Sequence, residues 1–202
     1  MIAPDLPAHG FSSGRRTTLP DWVSAVGTVG WHAGRVQGIV AHSLGATAAA
    51  LALARGLHAG RVVLIAPPAE VPYFVRRLGQ WMNLPTARTD GLLHRVARRA
   101  GVALESLDLR AVAPALSVPA LVVHSRGDRE VPFAHGEAIA AAWPGASLLA
   151  LDGSGHTRVL EDPAVIGAAV DFVRARPERI AADAARLEDM DDGDRVPYRA
   201  AL

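Results

Sequence analysis

Four short apolar runs divide the chain, and each is nearly continuous rather than alternating with polar residues. They read GIVA, VVLIA, ALVVH and SLLALD, at positions 38–41, 62–66, 120–124 and 147–152. Continuous apolar runs of this length are typical of parallel strands that are buried on both faces of a sheet. The pattern therefore predicts four strands of a parallel sheet.

Helical patterns lie before, between and after these runs. They occupy four segments, at 21–33, 44–56, 133–143 and 163–175. Pro163 stands at the start of the last segment, where proline is favoured because its nitrogen needs no helical partner. Strands that alternate with helices predict the α/β class, with a mostly parallel sheet and flanking helices.

One stretch breaks the alternation, because two helical patterns and no strand lie between Pro67 and Pro119. We interpret it as a short helical insertion above the sheet, which would cap the core. Beyond Pro177 the chain turns polar and suits a solvated tail. The predicted organisation is an α/β core over 1–70 and 106–176, a helical cap over 71–105 and a polar C-terminal tail over 177–202.

Composition narrows the range of functions. The 202 residues are half apolar, enough for a sizeable core, and the net charge is +1. A balanced charge gives no sign of the basic patch that would bind nucleic acid or an anionic membrane. All basic residues are arginine, and cysteine is absent. Lysine Schiff bases, P-loop lysines, thiol catalysis, disulfides and cysteine-based zinc sites are therefore excluded.

Targeting and cofactor signals are also missing from the sequence. No apolar run approaches the ~20 residues of a membrane span, and the N-terminus lacks the basic region of a signal peptide. The histidines are scattered without metal-binding spacing, and no glycine pattern matches a dinucleotide site. We expect a soluble, cytoplasmic protein with no metal and no cofactor, whose oligomeric state stays open.

The stretch GIVAHSLGA carries the strongest local signal for chemistry. A buried strand runs directly through Ala41-His42-Ser43-Leu44-Gly45 into a helix rich in alanine and leucine. This matches the small-x-Ser-x-Gly nucleophile elbow, in which the serine sits on a sharp, strained turn. Small residues at 41 and 45 are expected to let the strand and helix approach closely. The alternative is that Ser43 only caps the helix.

Two further polar residues follow strands. Asp128 lies after the third run, in GDREVP, and His156 lies after the fourth, in GSGH. Loops at the carboxyl ends of parallel strands converge on one crevice. A serine nucleophile needs an adjacent imidazole, which in turn needs a carboxylate. The order Ser43, Asp128, His156 predicts a catalytic triad, with Asp152 and Glu70 as weaker candidates for the acid.

Together these motifs resemble those of the α/β-hydrolase superfamily, of the kind with a short helical cap. APDLPAHGFSSG resembles the segment after the family's fourth strand, with Ala8 where glycine is usual. GDREVP and GSGHTRVLEDP resemble its acid and histidine loops, and the resemblance covers about residues 1–175. It implies a serine hydrolase for a small carboxylic ester or related acyl substrate, with the Leu44 N–H in the oxyanion hole. Acyl transfer, carbon–carbon bond hydrolysis and cofactor-free haloperoxidation use the same triad and stay open.

The resemblance also implies that three strands, a helix and the loop with the second oxyanion donor precede the point where this chain begins. Ile2 and Ala3 look like the tail of a strand. We therefore expect an N-terminally truncated protein in which one edge of the GIVA strand is unpaired. The second hypothesis is a non-catalytic or defective fragment that needs the missing strands or a partner chain.

A cap above the crevice would shape the pocket for the acyl group. We therefore expect four side chains to contact the small-molecule substrate. One is at the elbow and three are in the cap: His42, Tyr73, Phe74 and Trp81.

Overall fold

Four parallel strands form the centre of the part of the protein that the structure describes. A computed structural model describes residues 1–175, except for the side chains of residues 74, 78, 96, 99, 100, 104 and 105. The predicted tail over 177–202 lies outside the described residues. The strands lie side by side in chain order: β1 (Ile39–His42), β2 (Val62–Ile65), β3 (Ala120–Ser125) and β4 (Ser147–Leu151).

Helices connect and cover the strands, so the prediction of a mostly parallel α/β sheet with flanking helices is confirmed. They are α1 (Leu19–Ala33), α2 (Ser43–Ala54), α3 (Val71–Trp81), α4 (Thr86–Ala100), α5 (Leu109–Val112), α6 (Phe133–Ala142) and α7 (Pro163–Arg174). Short 3-10 turns at 104–107, 113–115 and 158–160 complete the connections. Within residues 1–175, no helix combines the length and the apolar character that crossing a membrane requires.

The two central strands are buried on both faces, which explains why their sequences are continuously apolar. Successive side chains of a strand point to opposite faces. Val62 and Leu64 of β2 accordingly pack with α2 and α6 on one face, whereas Val63 and Ile65 pack with α7 on the other. The sheet thus has a separate apolar cluster on each face.

Local sequence signals fix where the flanking helices begin. Thr18 caps α1 through a capping box: its hydroxyl accepts from the Asp21 N–H, and the Asp21 carboxylate accepts from the Thr18 N–H. Asp162 caps α7 by accepting from the Ala164 N–H, with Pro163 in the first turn. Side chains that satisfy the free N–H groups of a first turn stabilise a helix and define its start.

The segment that breaks the alternation contains α3 and α4, which an ion pair between Arg76 and Asp90 joins at 2.8 Å. Its two ends meet at an isolated antiparallel bridge between Glu70 and Asp108. The Arg110 guanidinium pairs with both of these carboxylates, at 2.9 Å and 2.6 Å. The two ends of the segment therefore lie side by side. Its assignment as a cap stays a prediction.

The N-terminal residues differ from the sequence-based expectation. Ile2 and Ala3 are exposed and lie in no strand. Within the described residues, β1 pairs with β2. The loop that follows is held by Asp5, whose carboxylate accepts from the Phe11 N–H at 2.9 Å. Ala8 has a φ of 63°, which explains physically why glycine is favoured there.

Leu64 tests the core. Its side chain is fully buried between β2 and the α2 face, so Leu64→Ala should lower the free energy of unfolding by about 3 kcal/mol. Leu148 of β4 is 37% exposed, so Leu148→Ala should cost less than about 1 kcal/mol. Urea denaturation of both variants measures the difference, and equal losses would contradict this description of the core.

Candidate active site

Ser43 occupies the turn where β1 ends and α2 begins, with no intervening loop. Its φ of 53° lies in the left-handed region, which costs a non-glycine residue about 1–3 kcal/mol and persists only where the surroundings hold it. The turn sets Ser43 at the first residue of the helix and at the carboxyl end of the sheet. This is the backbone geometry expected of a nucleophile elbow.

The steric reason given for Gly45 is wrong for the described structure. Apart from its chain neighbours and the backbone of its own helix, a Cβ placed on Gly45 would meet no atom within 4 Å among the described residues. A side chain at this position would therefore point into open space rather than against a neighbouring element. The strained position in this turn is Ser43 itself.

The structure brings Ser43, His156 and Asp128 into one hydrogen-bonded chain. His156 Nε2 lies 2.9 Å from Ser43 Oγ, and His156 Nδ1 lies 2.8 Å from Asp128 Oδ2. The three residues follow β1, β4 and β3, so the parallel arrangement of the strands places their loops at the same edge. Both His156 and Asp128 are buried, at 8% and 7% exposure.

The carboxylate of Asp128 is held on both oxygens. Oδ1 accepts from the backbone N–H groups of Glu130 and Val131, at 2.9 Å and 2.8 Å, and Oδ2 faces His156. Burial by itself raises the pKa of Asp128. The hydrogen bonds from His124, His156 and the Val131 N–H outweigh it and hold this pKa well below its usual range. Asp128 is therefore ionised at neutral pH.

The pKa of His156 is shifted in the opposite direction from that of Asp128. Burial lowers its pKa, but the hydrogen bond and the negative charge of Asp128, with a smaller contribution from Glu130, raise the pKa above its ordinary value. Because Nδ1 donates to the carboxylate, Nε2 is the atom left to accept a proton from Ser43. The arrangement can therefore take a proton from the serine hydroxyl and stabilise the resulting charge.

His124 contributes more to this site than its sequence context indicates. Its side chain at the end of β3 is fully buried. Nε2 donates to the Val131 carbonyl at 2.9 Å and lies 3.5 Å from Asp128 Oδ2. His124 has no part in the triad predicted from the sequence. Its spacing four residues before Asp128 was the one available signal, since both residues flank the same strand end.

His42, predicted to contact substrate, lies against His156. Its Nε2–H donates to the His156 backbone carbonyl at 3.0 Å, and the two rings are 4.8 Å apart. Burial lowers the pKa of His42, and the hydrogen bond to His156 opposes this only in part. A neutral His42 therefore supports the histidine loop.

The other predicted site residues lie in different surroundings. Leu44 is half-buried in the first turn of α2. Tyr73 contacts the His135 ring at 4.5 Å, and the Arg77 guanidinium lies over the half-exposed Trp81 ring at 5.6 Å. Neither of these contacts involves Ser43 or His156. Phe74 belongs to α3, but its side chain lies outside the described part.

The weaker acid candidates are engaged elsewhere. The Asp152 side chain is 91% exposed, and its carboxylate lies 3.8 Å from Arg126. Glu70 pairs with Arg110. Asp128 is the carboxylate that touches His156. Among the described side chains, no group of three or more His, Asp or Glu is placed to hold a metal ion.

Comparison with known proteins agrees with this fold. The model of the alpha/beta hydrolase family matches residues 1–169, which is most of the chain. The chain belongs to the alpha/beta hydrolase family. A search of curated protein sequences finds no match.

Solved structures of the same fold come from several sources. One is a hydrolase from Pseudomonas aeruginosa PA01, 24% identical, with a TM-score of 0.58 over 83% of this chain and 77% of that one. Another is a thermophilic esterase from Thermogutta terrifontis, 20% identical, with a TM-score of 0.57 over 83% and 76%. A third is an alpha/beta hydrolase enzyme from a Medee basin deep-sea metagenome library, 18% identical, with a TM-score of 0.61 over 86% and 78%. At these identities the likeness shows the fold.

Titration of His156 tests the electrostatics of the site. In the parent protein its midpoint should lie above the ordinary value of 6.5. Asp128→Asn removes the charge that stabilises the imidazolium, so the midpoint should move to lower pH. Histidine proton–nitrogen NMR, assigned with His156→Gln, measures it. Asp152→Asn is the matched control and should leave the midpoint unchanged. An equal shift in both variants would contradict the described contact.

Proposed function

We propose that the protein is a serine hydrolase that cleaves a small carboxylic ester or a related acyl substrate through an acyl-enzyme. The observation that carries this proposal is the continuous hydrogen-bonded chain from Ser43 through His156 to the buried Asp128. A serine hydroxyl is a weak nucleophile at neutral pH, and a base in contact with it supplies the activation.

In the proposed reaction, Ser43 Oγ attacks the carbonyl carbon while its proton passes to His156 Nε2. Asp128 orients the imidazole and stabilises its charged form without taking the proton itself. The tetrahedral intermediate collapses, and His156 gives the proton to the departing alcohol. Water then repeats the sequence on the acyl-enzyme, releasing the acid and returning the proton to Ser43. One ester and one water thus yield one acid and one alcohol.

Negative charge that develops on the carbonyl oxygen needs nearby donors. We assign one of them to the Leu44 N–H. Leu44 is the second residue of α2, and the N–H groups of a first helical turn have no partner within the helix. The positive end of the helix dipole lies at the same place. Both features favour an oxyanion next to Ser43.

Residues 71–105 complete the proposal as a cap over this edge of the sheet. Their two ends meet at the Glu70–Asp108 bridge, and Glu70 lies five residues after the carboxyl end of β2. We assign substrate contacts to His42, Tyr73, Phe74 and Trp81, with Tyr73 and Trp81 on the side of the acyl group. A half-exposed tryptophan offers apolar area at low entropic cost.

Ser43→Ala tests the nucleophile. The variant should lose turnover of p-nitrophenyl acetate and labelling by a fluorophosphonate probe, since the atom that attacks carbon or phosphorus is gone. Intact mass spectrometry should show the parent gaining the phosphonyl group as fluoride leaves. Thermal unfolding should change little, because alanine at 43 keeps the same backbone.

The matched control is Ser106→Ala. Ser106 is exposed, and its hydroxyl donates to the Ala103 carbonyl at 2.7 Å, a local contact that involves none of Ser43, Asp128 and His156. This variant should be labelled like the parent. Equal turnover by the parent and Ser43→Ala, or a folded parent that is not labelled, would contradict the proposed function.

Trp81→Ala tests the cap. Loss of its ring should raise KM for a p-nitrophenyl ester of a long acyl chain by about tenfold, equivalent to ~1.4 kcal/mol of binding, with less change for the acetate. Trp31 is 54% exposed, close to the 50% of Trp81, but lies at the end of α1. Trp31→Ala should therefore change neither KM. Equal effects of the two variants would contradict the assignment of 71–105 as an acyl-binding cap.

A further inference from the structure

Ser125 is the last residue of β3, three positions before Asp128, and its side chain is fully buried. Its Oγ accepts two backbone hydrogen bonds, one from the Gly127 N–H at 3.3 Å and one from the Gly155 N–H at 3.1 Å. Buried hydroxyls that accept more than one N–H are costly to replace, because each donor is left unpaired. The two donors lie in the two loops that carry Asp128 and His156.

Each donor immediately precedes a member of the proposed triad: Gly127 precedes Asp128, and Gly155 precedes His156. The Ser125 hydroxyl therefore joins the loop after β3 to the loop after β4, beside the His156–Asp128 hydrogen bond itself. The backbone carbonyl of Ser125 also accepts from the Asp128 N–H at 3.1 Å. Ser125 thus accepts two hydrogen bonds from the acid loop and one from the histidine loop.

The histidine loop needs such a support. Gly153 and Gly155 have φ values of 84° and 70°, in the left-handed region. Glycine has more backbone conformational freedom than any other residue, so a loop with two glycines needs contacts that restrict its backbone. Short contacts at both nitrogens of His156, 2.9 Å and 2.8 Å, require its backbone to be fixed to a fraction of an ångström. A hydrogen bond on the adjacent Gly155 N–H supplies that restraint.

We propose that Ser125 is a positioning residue that sets the distance between Asp128 and His156, and thereby the readiness of His156 to take the Ser43 proton. This role rests on the proposed serine hydrolase function for its kinetic effect. The geometry of the His156–Asp128 pair can be observed without any reaction.

The test compares Ser125→Ala with the parent, with Ser125→Thr and with Ser154→Ala. Threonine keeps the hydroxyl. The Ser154 hydroxyl donates to Asp162 Oδ2 at 3.0 Å, so it anchors the same histidine loop to α7 rather than to the acid loop. Ser154→Ala is therefore the matched control for a loss of restraint on the histidine loop that does not involve the acid loop. If Ser125→Ala does not fold, Ser125→Cys replaces it, because sulfur is a weak acceptor of similar shape.

Two readouts are taken on each protein. The first is the rate of fluorophosphonate labelling at Ser43. The second is the low-field proton resonance of His156 Nδ1–H, which reports the hydrogen bond to the Asp128 carboxylate. We expect Ser125→Ala to label about tenfold more slowly and to shift or lose the resonance. Ser125→Thr and Ser154→Ala should stay within about threefold of the parent and keep the resonance.

The proposal is overturned if Ser125→Ala labels like the parent and keeps the resonance. It is also overturned if Ser154→Ala or Ser125→Thr is as impaired as Ser125→Ala, since the hydroxyl link would then have no specific effect. A folded parent that is not labelled contradicts the proposed function instead. In that case the resonance alone decides the role of Ser125. If Ser125→Ala loses the resonance and the other variants keep it, the role is supported. Any other pattern overturns it.

Discussion

A buried carboxylate is the constraint around which this site is arranged. Taking Asp128 out of water would cost several kcal/mol if it were left without partners. Two backbone N–H groups of its own loop and the Nδ1–H of His156 meet this requirement. The hydrogen bonds that make burial tolerable are the ones that orient His156. Stability of the acid loop and geometry of the proposed base therefore depend on the same contacts.

The sheet places these groups without long connections. Its four described strands are parallel and adjacent in chain order, so their carboxyl ends share one edge. Each proposed catalytic side chain lies within about five residues of a strand end. The apolar side chains of β2 and β3, buried on both faces, hold that edge in place. The site is thus fixed by the core rather than by the loops alone.

Much of this was accessible from the sequence, because buried parallel strands and alanine-rich helices leave strong local patterns. The four apolar runs match β1–β4 to within about one residue. Ile2 and Ala3 lie in no strand of the described structure, since an apolar pair becomes a strand only beside a partner, and their interpretation as the tail of a strand stays a prediction. The support given by His42 and Ser125 depends on contacts between distant loops, which spacing along the chain does not encode. The roles of Ser43, Asp128 and His156 stay predictions.

The strand order has a consequence for a chain that is still being made. Each strand of the described sheet can add directly beside the one synthesised before it, since β1, β2, β3 and β4 are neighbours in that order. Ser43 is made first, Asp128 much later and His156 last, just after β4. A nascent chain that exposes the serine still lacks His156, the imidazole that contacts it in the folded protein. Under the proposed function, the protein therefore acquires its reactivity only after all four strands of the described sheet have been made.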